Sequence, residues 1–187
     1  MSKHSFPSLA ALGNQLSLLA IVGMLSYAFV DQPPFGELPC PLCLMQRIGF
    51  VIIGFAFVLN IRCGAHSAHY GWGIIGGIVG MTVSLRQVLL HIAPGDRGFG
   101  ATILELHFYT WAFVAYLGLM AGQAILLILP NRDVRSRSWF ANTIVILFIL
   151  LVFANLVSTL LECGPGPCPD DPVTYKGWIW LRNYFGF

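Results

Sequence analysis

Residues 39–61 read PCPLCLMQRIGFVIIGFAFVLNI, and the fold turns on how this stretch is parsed. The apolar run, Ile48 to Ile61, has only 14 residues, whereas a helix needs roughly 20 to cross the hydrocarbon core of a membrane. The helix therefore has to begin near Pro41 and take Cys43, Gln46 and Arg47 into its first turns. Pro41 suits the first helical position, where its missing N–H would have no partner anyway. Cys40 then stands near the N-cap, and Arg47 lies one turn beyond Cys43 on the same face. A dithiol and a permanent cation thus sit at the mouth of a membrane helix.

The rest of the chain has the same character. Of its 187 residues 57% are hydrophobic and 10% charged, against about 25% charged in a soluble domain. Apolar runs predict five spans, at about 9–30, 41–61, 70–92, 103–129 and 139–161, joined by short connections. The expected fold is all-α, a polytopic membrane helix bundle in one domain, with 162–187 as an external C-terminal tail. The first run is too long for the h-region of a cleaved leader and lacks a small-residue cleavage site, so it is expected to stay as a span. The ten basic residues are scattered, which leaves no patch for nucleic acid.

Basic residues in short loops set the orientation. Lys3, Arg62, Arg132, Arg135 and Arg137 fall on one side, and Arg97, Lys176 and Arg182 on the other. The cluster NRDVRSR (131–137) marks its side as cytoplasmic, so the N-terminus is expected inside and the C-terminus outside. Cys40, Cys43, Cys163 and Cys168 then share the outer, oxidising face as two pairs, and Cys63 is alone on the reducing face.

Each pair admits two readings. Thiolate character at Cys43 is favoured by the N-terminal end of its helix and by Arg47. Redox chemistry follows from that, whereas a structural disulfide beside a snorkelling arginine is the plainer alternative. The second pair lies in ECGPGPCPDDP (162–172), where the glycines and prolines predict a turn-rich loop. Such a disulfide is open to attack by another protein's thiolate, or it is a simple staple. Zinc ligation fits poorly, because zinc cysteines usually share a small soluble fold and these pairs flank separate spans; no metal is expected. Haem attachment fails because Leu44, not His, follows Cys43.

Arg86, Gln87, His91, Glu105 and His107 all fall at the outer ends of spans three and four. With Arg47 at the same depth they suit the polar head of a lipid-soluble carrier, and Arg47, His91 and Arg86 are the candidate contacts. The tail segment VTYKGWIWLRNYFGF (173–187) mixes aromatic and basic residues as membrane-interface helices do.

The run CPLCLMQR (40–47) resembles the bacterial disulfide bond formation protein B (DsbB) family, as do RQVLLHIAP (86–94) and LHFYTWAF (106–113) more softly. The resemblance covers most of spans one to four. It implies a four-helix DsbB-like core and a thiol oxidase of the bacterial inner membrane. Such an enzyme reoxidises a periplasmic thioredoxin-fold partner of the DsbA type and passes its electrons to ubiquinone or menaquinone. By the same resemblance Cys43 faces the quinone, Arg47 contacts its oxygen, and the Cys40–Cys43 pair exchanges with the second pair. The chain departs from the family pattern in one respect. The second pair follows an added fifth span instead of lying between spans three and four, so the partner must dock differently. Alternatives are a vitamin K epoxide reductase-like enzyme, in which the active pair sits late in the bundle, a carrier that reduces external disulfides, and a non-enzymatic subunit braced by disulfides.

Overall fold

The computed structural model describes residues 9–30, 38, 40–93, 95–96, 98, 102–129, 135–168 and 174–186. Lys3, Arg97 and Arg132 of the orientation argument lie outside them, as does part of the 173–187 and 162–172 segments. Among the described residues there are six helices: α1 Leu9–Val30, α2 Pro41–Cys63, α3 Ser67–Leu90, α4 Phe108–Ile128, α5 Trp139–Cys163 and α6 Lys176–Phe185. The first five are long and apolar enough to cross a membrane.

Local chemistry fixes most boundaries. The Sγ of Cys40 caps α2 by accepting the Cys43 N–H at 3.1 Å, with Pro41 in the first turn. The cap of α3 is His66, whose ring nitrogen accepts from Ala68 N–H at 3.2 Å, so this helix starts at Ser67, three residues before the expected Tyr70. At α5 the Ser138 hydroxyl accepts from Ala141 N–H. The fourth span begins at Phe108 rather than at Ile103, because residues 102–107 form an antiparallel hairpin (β1 Thr102–Ile103, β2 Leu106–His107). Its tip, Leu104 and Glu105, has φ of 51° and 63°, the left-handed pair of a type I′ turn. Trp111 Nε1–H donates to Ile103 O at 3.0 Å and ties the hairpin to α4.

Helices α1 to α4 pack as a bundle, and α5 lies against α1 and α2. Leu18, Ile21, Ile53, Phe57, Tyr70, Tyr116, Ile144 and Phe148 form its wholly buried centre. Lipid offers no hydrophobic drive between helices, so close packing has to supply the association. The α2–α3 crossing shows how. A Cβ on Gly49 would come 2.8 Å from Gly80 Cα, and one on Gly80 would overlap the Tyr116 ring. That ring stacks on Phe50 with centroids 4.2 Å apart, and its hydroxyl donates to Gln46 O. We expect Gly80→Ala to lower stability by about 1–3 kcal/mol through overpacking, read as an earlier thermal unfolding transition in detergent.

Contacts at the two ends fix the chain's directions. At one end Asn14, Asn60 and Tyr70 join α1, α2 and α3: Asn14 Nδ2 donates to Tyr70 Oη at 2.8 Å and Asn60 Nδ2 to Asn14 Oδ1 at 2.9 Å. There too Ser136 N–H donates to Ile61 O and Arg135 Nε–H to Cys63 O, both at 3.0 Å, seating the segment before α5. At the opposite end Tyr27 stacks on Phe108, and Arg47 reaches α1 and α5. Helix α5 therefore starts at the Cys63 end and finishes at the Cys40 end. Cys40–Cys43 and Cys163–Cys168 lie at one end of the bundle, and Cys63 at the other.

Candidate functional site

Both pairs are disulfides, with Cα atoms 5.1 Å apart for Cys40–Cys43 and 4.5 Å for Cys163–Cys168. They sit at opposite polarities of helical structure. Cys40–Cys43 occupies the N-terminus of α2, where backbone N–H groups and the positive end of the helix dipole favour a thiolate. Cys163 is the last residue of α5, at the carbonyl end.

The first pair also touches an amide pair; sequence reading placed Gln87 in the polar cluster at the outer span ends and Gln46 in the first turns of its helix, but neither against the sulfurs. Gln46 Nε2 donates to Gln87 Oε1 at 2.7 Å, and Gln87 Nε2 reaches Cys40 Sγ at 3.4 Å and Cys43 Sγ at 3.8 Å. Both glutamines are buried. The available signal was two amides one turn from the ends of otherwise apolar runs, since a buried amide in a membrane has to find a polar partner. A donor aimed at sulfur stabilises the reduced, thiolate form. We expect Gln87→Leu to lower the Cys40–Cys43 reduction potential by about 10–30 mV, the equivalent of one hydrogen bond of about 0.5–1.5 kcal/mol. Redox titration against glutathione measures it.

Arg47 is buried and turns away from the amide pair, towards α5. Its Nη2 donates to Ala28 O at 3.0 Å, its Nη1 lies 3.5 Å from Asn155 Oδ1, and its guanidinium stands 5.5 Å from the centre of the Phe29 ring. The Glu162 carboxyl is within electrostatic range. Asn155 and Glu162 are further polar residues that the sequence reading did not place in the site. Asn155 interrupts an apolar run, and Glu162 stands directly before Cys163.

The second pair differs from the exposed loop disulfide expected from ECGPGPCPDDP. Cys163 belongs to α5 and is buried, and only Cys168 lies on the turn, half-buried. The helix runs on because the first breaker, Gly164, comes after Cys163. Helix α6 then folds back onto the end of α5 at Gly177, where a Cβ would stand 2.8 Å from Leu161 O. Exposed Trp178, Trp180, Tyr184 and Phe185 line α6 together with exposed Lys176 and Arg182.

The other two candidates lie apart from the sulfur–amide cluster. Arg86 is on the exposed face of α3, while its neighbour Gln87 is on the buried face. His91 caps α3, with Nδ1 3.2 Å from the Asp96 carboxylate. Asp96 is held below the usual carboxylate range, first by the Gly98 N–H that it accepts at 2.8 Å and then by His91. The His107 ring stacks on Tyr109, with Tyr109 in turn 5.7 Å from His91. Cys63 is exposed and outside either disulfide.

Two disulfides at one end of a membrane bundle, one backed by thiolate-stabilising groups, form an arrangement suited to thiol–disulfide exchange. Residues 12–100 match the family described as Disulfide bond formation protein DsbB. Over that region the chain is similar to the DsbB family. The DsbB region spans most of α1 and all of α2 and α3, with Cys40, Cys43, Gln46, Arg47 and Gln87, and ends before LHFYTWAF, α5 and the second cysteine pair. Proteins named Disulfide bond formation protein B are similar to it. The one from Xanthomonas campestris pv. campestris is 37% identical over 86 residues, covering 43% of this chain and 50% of that protein. The one from Chromobacterium violaceum is 33% identical over 107 residues, 53% of this chain and 64% of its own. The one from Nitrosomonas eutropha is 38% identical over 79 residues, 40% and 49% respectively. The chain thus spans about half the length of most of these DsbB relatives. No solved structure matches it.

Proposed function

We propose that the chain is a quinone-dependent thiol oxidase of the bacterial inner membrane. It would take two electrons from a periplasmic dithiol protein of the DsbA-like thioredoxin fold, through Cys163–Cys168 and then Cys40–Cys43, and deliver them to ubiquinone or menaquinone. The N-terminus is cytoplasmic and the C-terminus periplasmic in this reading, with both pairs in the oxidising compartment.

The observation that carries the reading is the opposed placement of the pairs at one end of the bundle. A disulfide whose reduced form is stabilised is the stronger oxidant. Helix-terminal N–H groups and the Gln87 amide stabilise the reduced form of Cys40–Cys43, while Cys163 faces a carbonyl end. Electrons therefore run downhill from the second pair to the first. That direction favours an oxidase over a carrier that reduces external disulfides. The DsbB match over the Cys40–Cys43 region favours it over the vitamin K epoxide reductase-like alternative.

The residues around Cys43 fit a quinone head group. Cys43 is half-buried, Gln46 and Arg47 supply polar N–H groups within one turn, and Met45 and Ile48 are exposed on the same turn, where a lipid-soluble tail would lie. Arg47 would hold a quinone oxygen, with His91 and Arg86 as outer contacts. A bound quinone supplies the two-electron oxidant for the Cys40–Cys43 dithiol. Arg47 and the N-terminal N–H groups of α2 stabilise the Cys43 thiolate in that step.

The test is turnover of purified protein in detergent with a reduced thioredoxin-fold dithiol and a short-chain quinone. Stoichiometric disulfide formation in the dithiol and loss of quinone absorbance are expected. A chain that oxidises no dithiol in the presence of either quinone class would leave the disulfides as structural braces.

A further inference from the structure

Glu162 is a buried carboxyl for which the exchange described so far has no use. It is 1% exposed, and neither carboxylate oxygen has a hydrogen-bond partner among the described residues. A polar group buried in this way needs a reason, because desolvating it without a partner costs free energy. Its surroundings supply one. It directly precedes Cys163, also buried, at the end of α5. Arg47, on α2, the helix that carries Cys40–Cys43, is a buried cation within electrostatic range of Glu162. Helix α1 contributes no charged side chain to the seam, and α6, packed on the end of α5, carries Lys176 and Arg182, both exposed.

The two sulfurs of the second pair are not equivalent. Cys168 is half-buried on a turn beside exposed Pro165, Gly166 and Pro167, whereas Cys163 is buried at the carbonyl end of a helix. An incoming thiolate reaches Cys168 first, and Cys163 is then the leaving sulfur. Cys163 leaves from the carbonyl end of α5, where burial and the helix dipole disfavour a thiolate, so the departing sulfur needs a proton.

Resting on the oxidase reading, we propose that Cys168 takes the attack of the incoming dithiol and that Glu162 is the proton carrier for Cys163, the sulfur that leaves. The thiolate of the incoming dithiol forms a bond to Cys168 Sγ. The Cys163–Cys168 bond breaks, and its electron pair goes to Cys163 Sγ. The Glu162 carboxyl gives that sulfur its proton and becomes a carboxylate within electrostatic range of Arg47. When Cys163 goes on to attack the Cys40–Cys43 disulfide, its thiol proton returns to Glu162. Arg47 balances the charge in between, which links the state of the second pair electrostatically to the helix bearing the first.

The experiment isolates the second pair. In a full-length chain carrying Cys40→Ser and Cys43→Ser, reconstituted in nanodiscs, dithiothreitol reduces Cys163–Cys168, and the rate is followed by quenching with a maleimide-PEG across pH 6–9. Glu162→Gln is expected to slow reduction about tenfold or more, the low end of general acid–base catalysis, and to remove the inflection that the unmodified carboxyl gives the pH profile. Glu162→Asp is expected to restore most of the rate and the inflection. Equal rates and profiles with Glu and Gln would overturn the proposal, as would equal slowing by Gln and Asp. Should either variant fail to fold, the chain with Glu162 intact decides: it is expected to show a larger solvent deuterium isotope effect than a small soluble disulfide, and an equal effect overturns the proposal. Neither quinone nor partner protein is present, so this result and that of the quinone assay stand or fall separately.

Discussion

A chain carrying Cys43→Ser is expected to reduce no quinone: turnover with a reduced protein dithiol should drop by on the order of 1,000-fold or more, as for other nucleophile deletions. Cys43 lies one helical turn from Arg47, with Gln87 Nε2 3.8 Å from its sulfur, in the first turn of α2. A serine there cannot form the Cys40–Cys43 bond, and its hydroxyl is a poor nucleophile and no electron carrier. The fold should survive, because the Cys40 cap uses the Cys43 backbone N–H and not its sulfur. Stopped-flow quinone absorbance measures the loss, and a thermal melt in detergent close to that of the unmodified chain shows that the loss is chemical. Turnover within a fewfold of the unmodified chain would remove Cys43 from the electron path.

Removing the second pair gives a different signature. With Cys163→Ala and Cys168→Ala together, oxidation of a protein dithiol should fall about 100-fold or more, the scale of losing the entry step of an exchange chain. A small dithiol should still drive quinone reduction through Cys40–Cys43. A folded partner needs an accessible sulfur, and Cys168 on its turn offers one, whereas Cys40 is buried. Dithiothreitol is small enough to reach the half-buried Cys43 directly. Parallel assays with both reductants separate the cases. Equal loss with both would mean that the tail disulfide serves the fold, and no loss with either would make it an ornament of the loop.

How far the site was legible in the sequence follows from how local each signal is. The C-x-x-C spacing, Pro41 and the short apolar run were enough to start α2 at Pro41, because a proline in the first turn and a sulfur cap act within four residues. The five apolar helices were legible for the same reason. The hairpin at 102–107 was not, since two strands of two residues leave no periodic pattern and non-glycine residues at positive φ carry no strong signature. The burial of Cys163 was missed because the glycines and prolines after it predict a loop, and only the fold-back of α6 onto α5 decides where the helix end is covered. The Gln46–Gln87 bond and the approach of Arg47 to Asn155 and Glu162 join residues 41 to 115 positions apart. Sequence spacing put Arg47 and Gln87 at the same outer level, but which side chains meet across the bundle appears only once the helices are assembled.

Arg47 illustrates the difference. Sequence spacing sets it near Cys43 as a cation. Assembly makes it a bridge between α1, α2 and α5, so one side chain joins the helix of the first pair to the helix that ends at the second.

Everything in the relay requires the two pairs to meet the same water. The decisive measurement is labelling of intact, right-side-out bacterial cells with a membrane-impermeant maleimide after mild reduction, read by mass spectrometry of the purified chain. Modification of both pairs from outside, with Cys63 modified only after permeabilisation, is the predicted result. Modification of Cys163 and Cys168 only after permeabilisation, while Cys43 reacts from outside, would contradict the relay.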